Sequence, residues 1–333
     1  MPMNRRSFGI AALAASVALA TAACGGDETG AYGAPLAKVK LGYIGDYNGA
    51  SLLAIANEKG LWKAHGLEAD AKVFTNGPLQ IQAIGTGDLE FGYIGPGAMW
   101  LPASGKAKVV AINTLGNADR VIAQPGITSL EGLRGKTVGV PEGTSGDMIL
   151  TLALKKAGLT KADVKIVPMD AATIVSAFSS KKIDAAGFWY PATAAIKKQV
   201  PDLVELAKNS DFTDQVSFPT AFVAGNDVVA KQQDKTSKVL AVLREAITFR
   251  IEHPDQAAEY TAKLLKVSVD QVKADAANSQ AIPLADLDRY TADGTIAKWL
   301  TGMNEYFVGA GKLTGAVDPA TYYTGDLFTA AGK

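Results

Sequence analysis

Residues 74–97, FTNGPLQIQAIGTGDLEFGYIGPG, decide how the rest of the chain is read. A short apolar strand ends at Phe74, and the polar turn Thr75, Asn76, Gly77, Pro78 opens a helix. Leu79, Ile81, Ala83 and Ile84 give that helix an apolar side, and residues 85–88 stop it. Residues 89–94 make a second strand, and Gly95-Pro96-Gly97 opens another helix. Strand, Gly/Asn loop and helix start form a unit suited to small polar ligands, because the first N–H groups of a helix have no partner within it. Parallel α/β sheets collect several such units along one edge.

Working outward, residues 39–44 alternate as a strand, Gly45 to Gly49 is a polar loop, residues 51–59 are helical, and residues 68–74 lead into the opening stretch. Further on, strands are expected at 108–112 and 121–123 before Pro125-Gly126 breaks the pattern. A second series then begins. Residues 137–140 are a strand followed by Glu142-Gly143-Thr144-Ser145-Gly146, residues 147–157 a helix, and 164–167 a strand. Asp170 caps a helix running to Phe178, residues 184–188 form a strand, and Trp189-Tyr190-Pro191 turns into a helix at 192–198. Residues 83–95 (AIGTGDLEFGYIG) and 177–189 (AFSSKKIDAAGFW) resemble one another, so two similar lobes are the economical reading. After an apolar strand at 218–224 the chain is almost wholly helical: 235–252, 254–265, 269–278 and 291–308. The chain is expected to cross between lobes near 121–123 and to return at 218–224, its C-terminal helices completing lobe one.

A chain of 333 residues with 48% hydrophobic content can bury one large or two ordinary cores. Its formal charge is zero, which gives nucleic acid or an anionic membrane surface no purchase. Asn4-Arg5-Arg6-Ser7-Phe8 carries paired arginines, and residues 8–23 follow almost entirely as small and aliphatic side chains. That run falls short of the roughly 20 residues a bilayer span needs and suits a signal peptide over residues 1–23. Arg-Arg before Ser-Phe resembles a twin-arginine export signal, with an ordinary Sec signal as the alternative. Cys24, the only cysteine, closes the apolar run between Thr21-Ala22-Ala23 and Gly25-Gly26-Asp27. This resembles the lipobox of bacterial lipoproteins, whose cysteine is lipidated. Residues 24–37 would then be a lipidated tether, 38–122 the first part of lobe one, 123–220 lobe two, and 221–333 the completion of lobe one. With Cys24 so assigned, no thiol remains for disulfides, metal ligation or nucleophilic catalysis.

The lipobox, Gly42-Tyr43-Ile44-Gly45, FTNGP, GDLEFGYIGPG, LEGLRGKTVGVPEGTSGD (residues 130–147) and IDAAGFWYP (residues 183–191) together resemble the solute-binding proteins of ABC importers. The group most similar handles alkanesulfonates, taurine, nitrate and thiamine pyrimidine precursors. The resemblance implies an α/β, two-lobed type II periplasmic binding protein fold with two crossover strands and a ligand cleft between the lobes. It also implies hinge closure on binding, ABC permease and ATPase subunits as partners, and a monomer held at the outer face of the cell membrane by its lipid alone. By position, the ligand-binding places are Asp46, Tyr47, Asn76, Gly77, Gly95 and Pro96 on lobe one, with Thr144, Ser145, Trp189 and Tyr190 on lobe two.

The residues themselves suit these places. Residues 142–146 offer N–H groups and two hydroxyls at a helix start, an oxyanion cradle or a plain capping loop. No Gly-Lys-Ser/Thr follows, so it is not a nucleotide P-loop. Trp189 and Tyr190 stack a flat ligand, close over an alkyl or ammonium group, or belong to the core. Asp46 pairs a ligand cation or caps the following helix. Arg120 reads as a hinge or rim residue, and Trp62, Trp100 and Trp299 as core. The mixture suits a small organosulfonate, with or without an amine to meet Asp46; an aromatic nitrogen heterocycle fits Trp189, Asn76 and Asp46 as well. The other class considered is an enzyme, since a pyrimidine synthase consuming its own histidine resembles these proteins. Its cysteine-rich motif is absent, His65 and His253 read as surface or capping residues, and no catalytic nucleophile–base pair, metal cluster or cofactor motif is found.

Overall fold

A computed structural model describes residues 35–331. The expected signal peptide and Cys24 lie outside the described residues. The first sheet contains β1 (Ala37–Ile44), β2 (Leu67–Phe74), β3 (Phe91–Ile94) and β4 (Lys108–Gly116). The second holds β5 (Asp119–Ala123), β6 (Thr137–Val140), β7 (Lys165–Pro168), β8 (Ala185–Trp189) and β9 (Val204–Lys208). The chain returns to the first sheet with β10 (Pro219–Ala224) and β11 (Ser279–Ala281).

The two sheets share a plan. The first runs β11-β4-β10-β3-β1-β2 and the second β7-β6-β8-β5-β9. In each, three parallel strands (β2-β1-β3 and β7-β6-β8) meet an antiparallel strand, β10 or β5, that the chain lays down just after changing sheets. Loops at the C-terminal ends of the parallel strands therefore gather on one edge of each sheet, and the antiparallel neighbour brings its own first residues to that same edge. β3, β5, β8 and β10 are buried throughout, as expected of strands covered on both faces.

The change of sheet occurs at residues 117–118, since β5 already belongs to the second sheet, so it precedes the expected crossing near 121–123. The return is complete by Pro219, and the first residues of β10 also fall in the first sheet rather than beyond residue 220. The crossing segments are tied together. Asp119 N–H donates to Asn209 Oδ1, Asn209 Nδ2 donates back to Asp119 Oδ2, each at 2.7 Å, and Ser210 N–H donates to Asn117 Oδ1 at 3.2 Å. Arg120 completes the joint. Its guanidinium pairs with Glu205 at 3.1 Å and donates to Asn117 O, Asp119 O and Asn278 Oδ1, reaching the C-terminal helices from the second sheet.

Several elements depart from the sequence reading. The loop at Gly45 to Gly49 is already helical from Tyr47, because Asp46 caps the helix Tyr47–Glu58 by accepting from Gly49 N–H at 2.7 Å. The helix expected at 291–308 is two helices, Leu284–Ala292 and Thr295–Gly309, broken at Gly294, whose φ of +78° suits glycine. On the helix Gly77–Thr86, Leu79 points outward and Gln80 is fully buried instead. The reason is hydrogen bonding: Gln80 Nε2 donates to Tyr93 O at 2.8 Å, and Gln80 Oε1 accepts from Tyr93 N–H at 2.9 Å. Buried backbone groups left unpaired are costly, so the amide outranks the aliphatic side chain at that position. A Cβ at Gly42 would stand 2.5 Å from Gln80 Oε1, so the glycine in β1 makes room for it.

Candidate functional site

The two loop edges face one another across an interlobe chamber of about 40 Å³, room for on the order of three waters. From the first lobe come Asp46 after β1, Gly77 after β2, and Gly95 and Pro96 after β3; from the second come Thr144 and Ser145 after β6 and Trp189 at the end of β8. These seven expected positions are brought together. Asn48, Tyr93, Asp119 and Thr220 line the chamber as well.

Three expected positions lie elsewhere. Tyr47 is buried against Ala258, Ala262 and Val272 of the C-terminal helices, its N–H donating to Asp275 Oδ2 at 2.7 Å. Asn76 serves its own helix, accepting from Leu79 N–H at 3.0 Å, and is not among the residues lining the chamber. Tyr190 turns away: Arg120 stacks over its ring at 5.1 Å, and its hydroxyl donates toward Glu205 at 3.5 Å. Sequence reasoning missed Asn48, Tyr93 and Thr220 and, as the only carboxylate among them, Asp119. Its signal was its position, the first residue of the first strand after the chain changes sheets, which delivers it to the chamber edge.

A larger hollow of about 430 Å³ opens beside the chamber. Ile44, Asp46 and Trp189 line both spaces, and Phe74, Val175, Ala195, Val267 and Val272 make the hollow mainly apolar, with Asp275 at its wall. Trp189 is only 8% exposed and marks the junction.

The lobes are in contact. A Cβ built on Gly97 would stand 2.1 Å from both the carbonyl carbon and oxygen of Thr144 and 2.3 Å from Ser145 N. Beside this contact, Trp100 Nε1 donates to Gly143 O at 3.3 Å, and Tyr306 O–H donates to Met148 O at 3.4 Å. Trp100, read from sequence as core, thus spans the lobes while remaining only partly buried. Trp62 is buried, with its indole N–H donating to Asn57.

The chamber is electrostatically one-sided. Asp46 and Asp119 are buried in its wall, and among the described residues no Lys, Arg or His lines it. Burial raises the Asp46 carboxyl well above the usual carboxylate range, helped by the charges of Asp275 and Asp119 and opposed by the Gly49 N–H. Burial also raises Asp119, against hydrogen bonds from the Ser145 hydroxyl and Asn209 and the nearby charge of Arg120. Asp275 is pushed up to about 6 by burial, with the Tyr47 N–H opposing. Two buried guanidiniums are bonded elsewhere: Arg120 at the joint, and Arg250, which donates to Ser51 Oγ and Asn113 O while its buried Nε makes no hydrogen bond. At the start of the helix Ser145–Lys156 the Thr144 side chain provides no cap, its hydroxyl donating to Pro141 O instead. Among the described residues no three His, Cys, Asp or Glu side chains are grouped to hold a metal ion.

The chain is similar to proteins that are named for binding. The family model described as NMT1/THI5 like matches residues 50–257. A protein of Brucella abortus (strain 2308), carrying a provisional binding-protein name, is 54% identical over 88% of this chain and 92% of its own length. The taurine-binding periplasmic protein of Escherichia coli (strain K12) is 25% identical over 81% of this chain and 80% of its own. Among solved structures, the alkanesulfonate-binding protein of Xanthomonas axonopodis pv. citri, bound to MOPS, superposes with a TM-score of 0.70 at 18% identity, covering 87% of this chain and 99% of that one. The fold is that of the periplasmic binding proteins, as the sequence motifs implied.

Proposed function

This chain belongs to the NMT1/THI5-like family, and from that premise we propose that it is the extracytoplasmic substrate-binding component of an ABC importer. The observation that carries the proposal is the chamber itself, walled by Asp46, Gly77, Gly95 and Pro96 from one lobe and Thr144, Ser145 and Trp189 from the other. A site divided between two bodies that the chain links by two crossings binds its ligand by closing on it, and the closed form is what a permease can read. The moving bodies are residues 119–208 on one side and the remaining described residues on the other. The protein acts as a monomer, delivering solute to permease and ATPase subunits and making or breaking no bond in it.

The finer reading is a ligand of the taurine kind, a small organic solute with an amine and an oxyanion. Three features support it: similarity to a taurine-binding protein, the helix start at Thr144 without a side-chain cap, and a carboxylate across from it. A thermal-shift screen of taurine, alkanesulfonates, nitrate, pyrimidines and aromatic acids tests it, because a ligand specific to the folded state raises the melting temperature. Trp189→Ala is expected to weaken the ligand so found by about 1–3 kcal/mol, read by calorimetry, since the ring contributes both area and a polarised face. An unchanged affinity would return Trp189 to the packing of lobe two.

Attachment to the membrane is assigned to Cys24; the tether expected over residues 24–37 ends before Ala37, which already belongs to β1. Several acyl chains on one cysteine give stable anchoring where a single chain gives only marginal binding. Cys24→Ser is expected to move the protein from the membrane fraction to the soluble one; a variant that stays with the membrane refutes lipidation.

A further inference from the structure

We propose that the chamber selects its ligand by a protonated nitrogen, an ammonium or amidinium-type group, held between the carboxylates of Asp46 and Asp119. The inference rests on the cleft being the solute site, and concerns what that site reads.

The two carboxylates come from different lobes, Asp46 following β1 of the first sheet and Asp119 opening β5 of the second. Closing the lobes brings both to the wall of one small, buried space. Like charges taken out of water repel strongly; Arg120 and Asn209 offset the charge of Asp119 in part, but Asp46 has no such cation, and among the described residues no basic side chain lines the chamber. Arg120 pairs with Glu205 and Asn278 and Arg250 donates to Ser51 and Asn113; neither is among the residues lining the chamber. Closure thus disfavours the charged form of Asp46, and a cation standing between Asp46 and Asp119 restores it by offsetting both burial and repulsion. The ligand's charge is then part of what drives closure, and a neutral or purely anionic solute leaves that repulsion in place.

The remaining walls agree. Trp189, at the junction of chamber and hollow, presents an aromatic ring of the kind that stabilises ammonium and cationic rings. The chamber's volume of about 40 Å³ suits a head group rather than a whole molecule, and the apolar hollow of about 430 Å³ beside it suits the organic body. Ser145 lines the chamber with Asp119, and its hydroxyl is one of the groups that favour the Asp119 carboxylate. An organic cation is favoured over a metal because no three ligating side chains are grouped among the described residues.

Matched pairs differing only in ammonium against hydroxyl provide the test: taurine with isethionate, and benzylamine with benzyl alcohol, titrated calorimetrically into the full chain and into Asp119→Asn and Trp189→Ala. In at least one pair the amine is expected to bind at least about tenfold more tightly, and Asp119→Asn should abolish that preference. Small-angle scattering supplies a readout independent of the ligand: ligand-free Asp119→Asn is expected to populate the compact closed form more than wild type. Hydroxyl compounds that bind as tightly as their amines, and lose affinity in Trp189→Ala, overturn the cation while leaving the cleft as the solute site. Amine binding insensitive to both variants overturns the cleft itself. Failure of all four probes, with an unchanged compact fraction in Asp119→Asn, also overturns the cation proposal.

Discussion

Gly97→Ala is expected to hold the lobes apart and weaken ligand binding on the order of 100-fold, while the ligand-free protein melts close to wild type. The added Cβ would lie 2.1 Å from the Thr144 carbonyl and 2.3 Å from Ser145 N. Both are backbone, so no rotamer can yield, and the strain belongs at the upper end of the roughly 1–3 kcal/mol that overpacking costs. Because Gly97 and Thr144 sit on different lobes, the strain falls on the closed arrangement alone, and affinity drops by the closed state's lost population. Gly146→Ala is the control. Its Cβ would meet Gly187 O at 2.4 Å and Phe188 Cα at 2.8 Å, both within lobe two. That variant should lower the melting temperature of the ligand-free protein, which Gly97→Ala should not. Wild-type affinity in Gly97→Ala would mean that ligand is held without the contact between Gly97 and Thr144.

Asp275→Asn is expected to stabilise the protein at neutral pH and to change nothing at pH 4 and below. Burial raises the folded-state Asp275 to about 6, above its value of about 4 in an unfolded chain. The folded state therefore binds the proton more tightly. The stability linked to that proton is fully present below pH 4 and is lost as pH rises through 6. At neutral pH the ionised side chain costs on the order of 2–3 kcal/mol, several degrees of melting temperature. Asparagine keeps an acceptor for the Tyr47 N–H, which donates at 2.7 Å, and removes a charge that also raises Asp46. Melting curves from pH 3.5 to 8 should show wild type and variant converging on the acid side. A gap independent of pH would show that the carboxyl is not the source.

What the sequence made legible was local. The strand Thr137–Val140, the helix Pro254–Leu265 with its leading proline, and the Asp170 cap on Thr173 N–H were all readable because alternation, proline and capping act within a few residues. The loops that face the chamber were also readable, since each is a polar break between an apolar strand and a helix. Features that depend on a distant partner were not. Gln80 is buried because of Tyr93, Tyr190 is turned outward by Arg120 and Glu205, and Trp100 donates to a loop of the other lobe. Asp119 escaped notice because its role depends on where the chain changes sheets, which no periodicity records.

The position of β10 carries a consequence for the nascent chain. All five strands of the second sheet lie within residues 119–208, so that half is a contiguous segment. The first sheet is not contiguous: β10 lies between β3 and β4, which have no edge in common without it. Four strands synthesised early must therefore wait, unsealed, until residues 219–224 arrive from the far side of an intervening half, a closure of long sequence separation and correspondingly slow. During that interval β3 and the buried core of β4 are the surfaces a chaperone would have to shield.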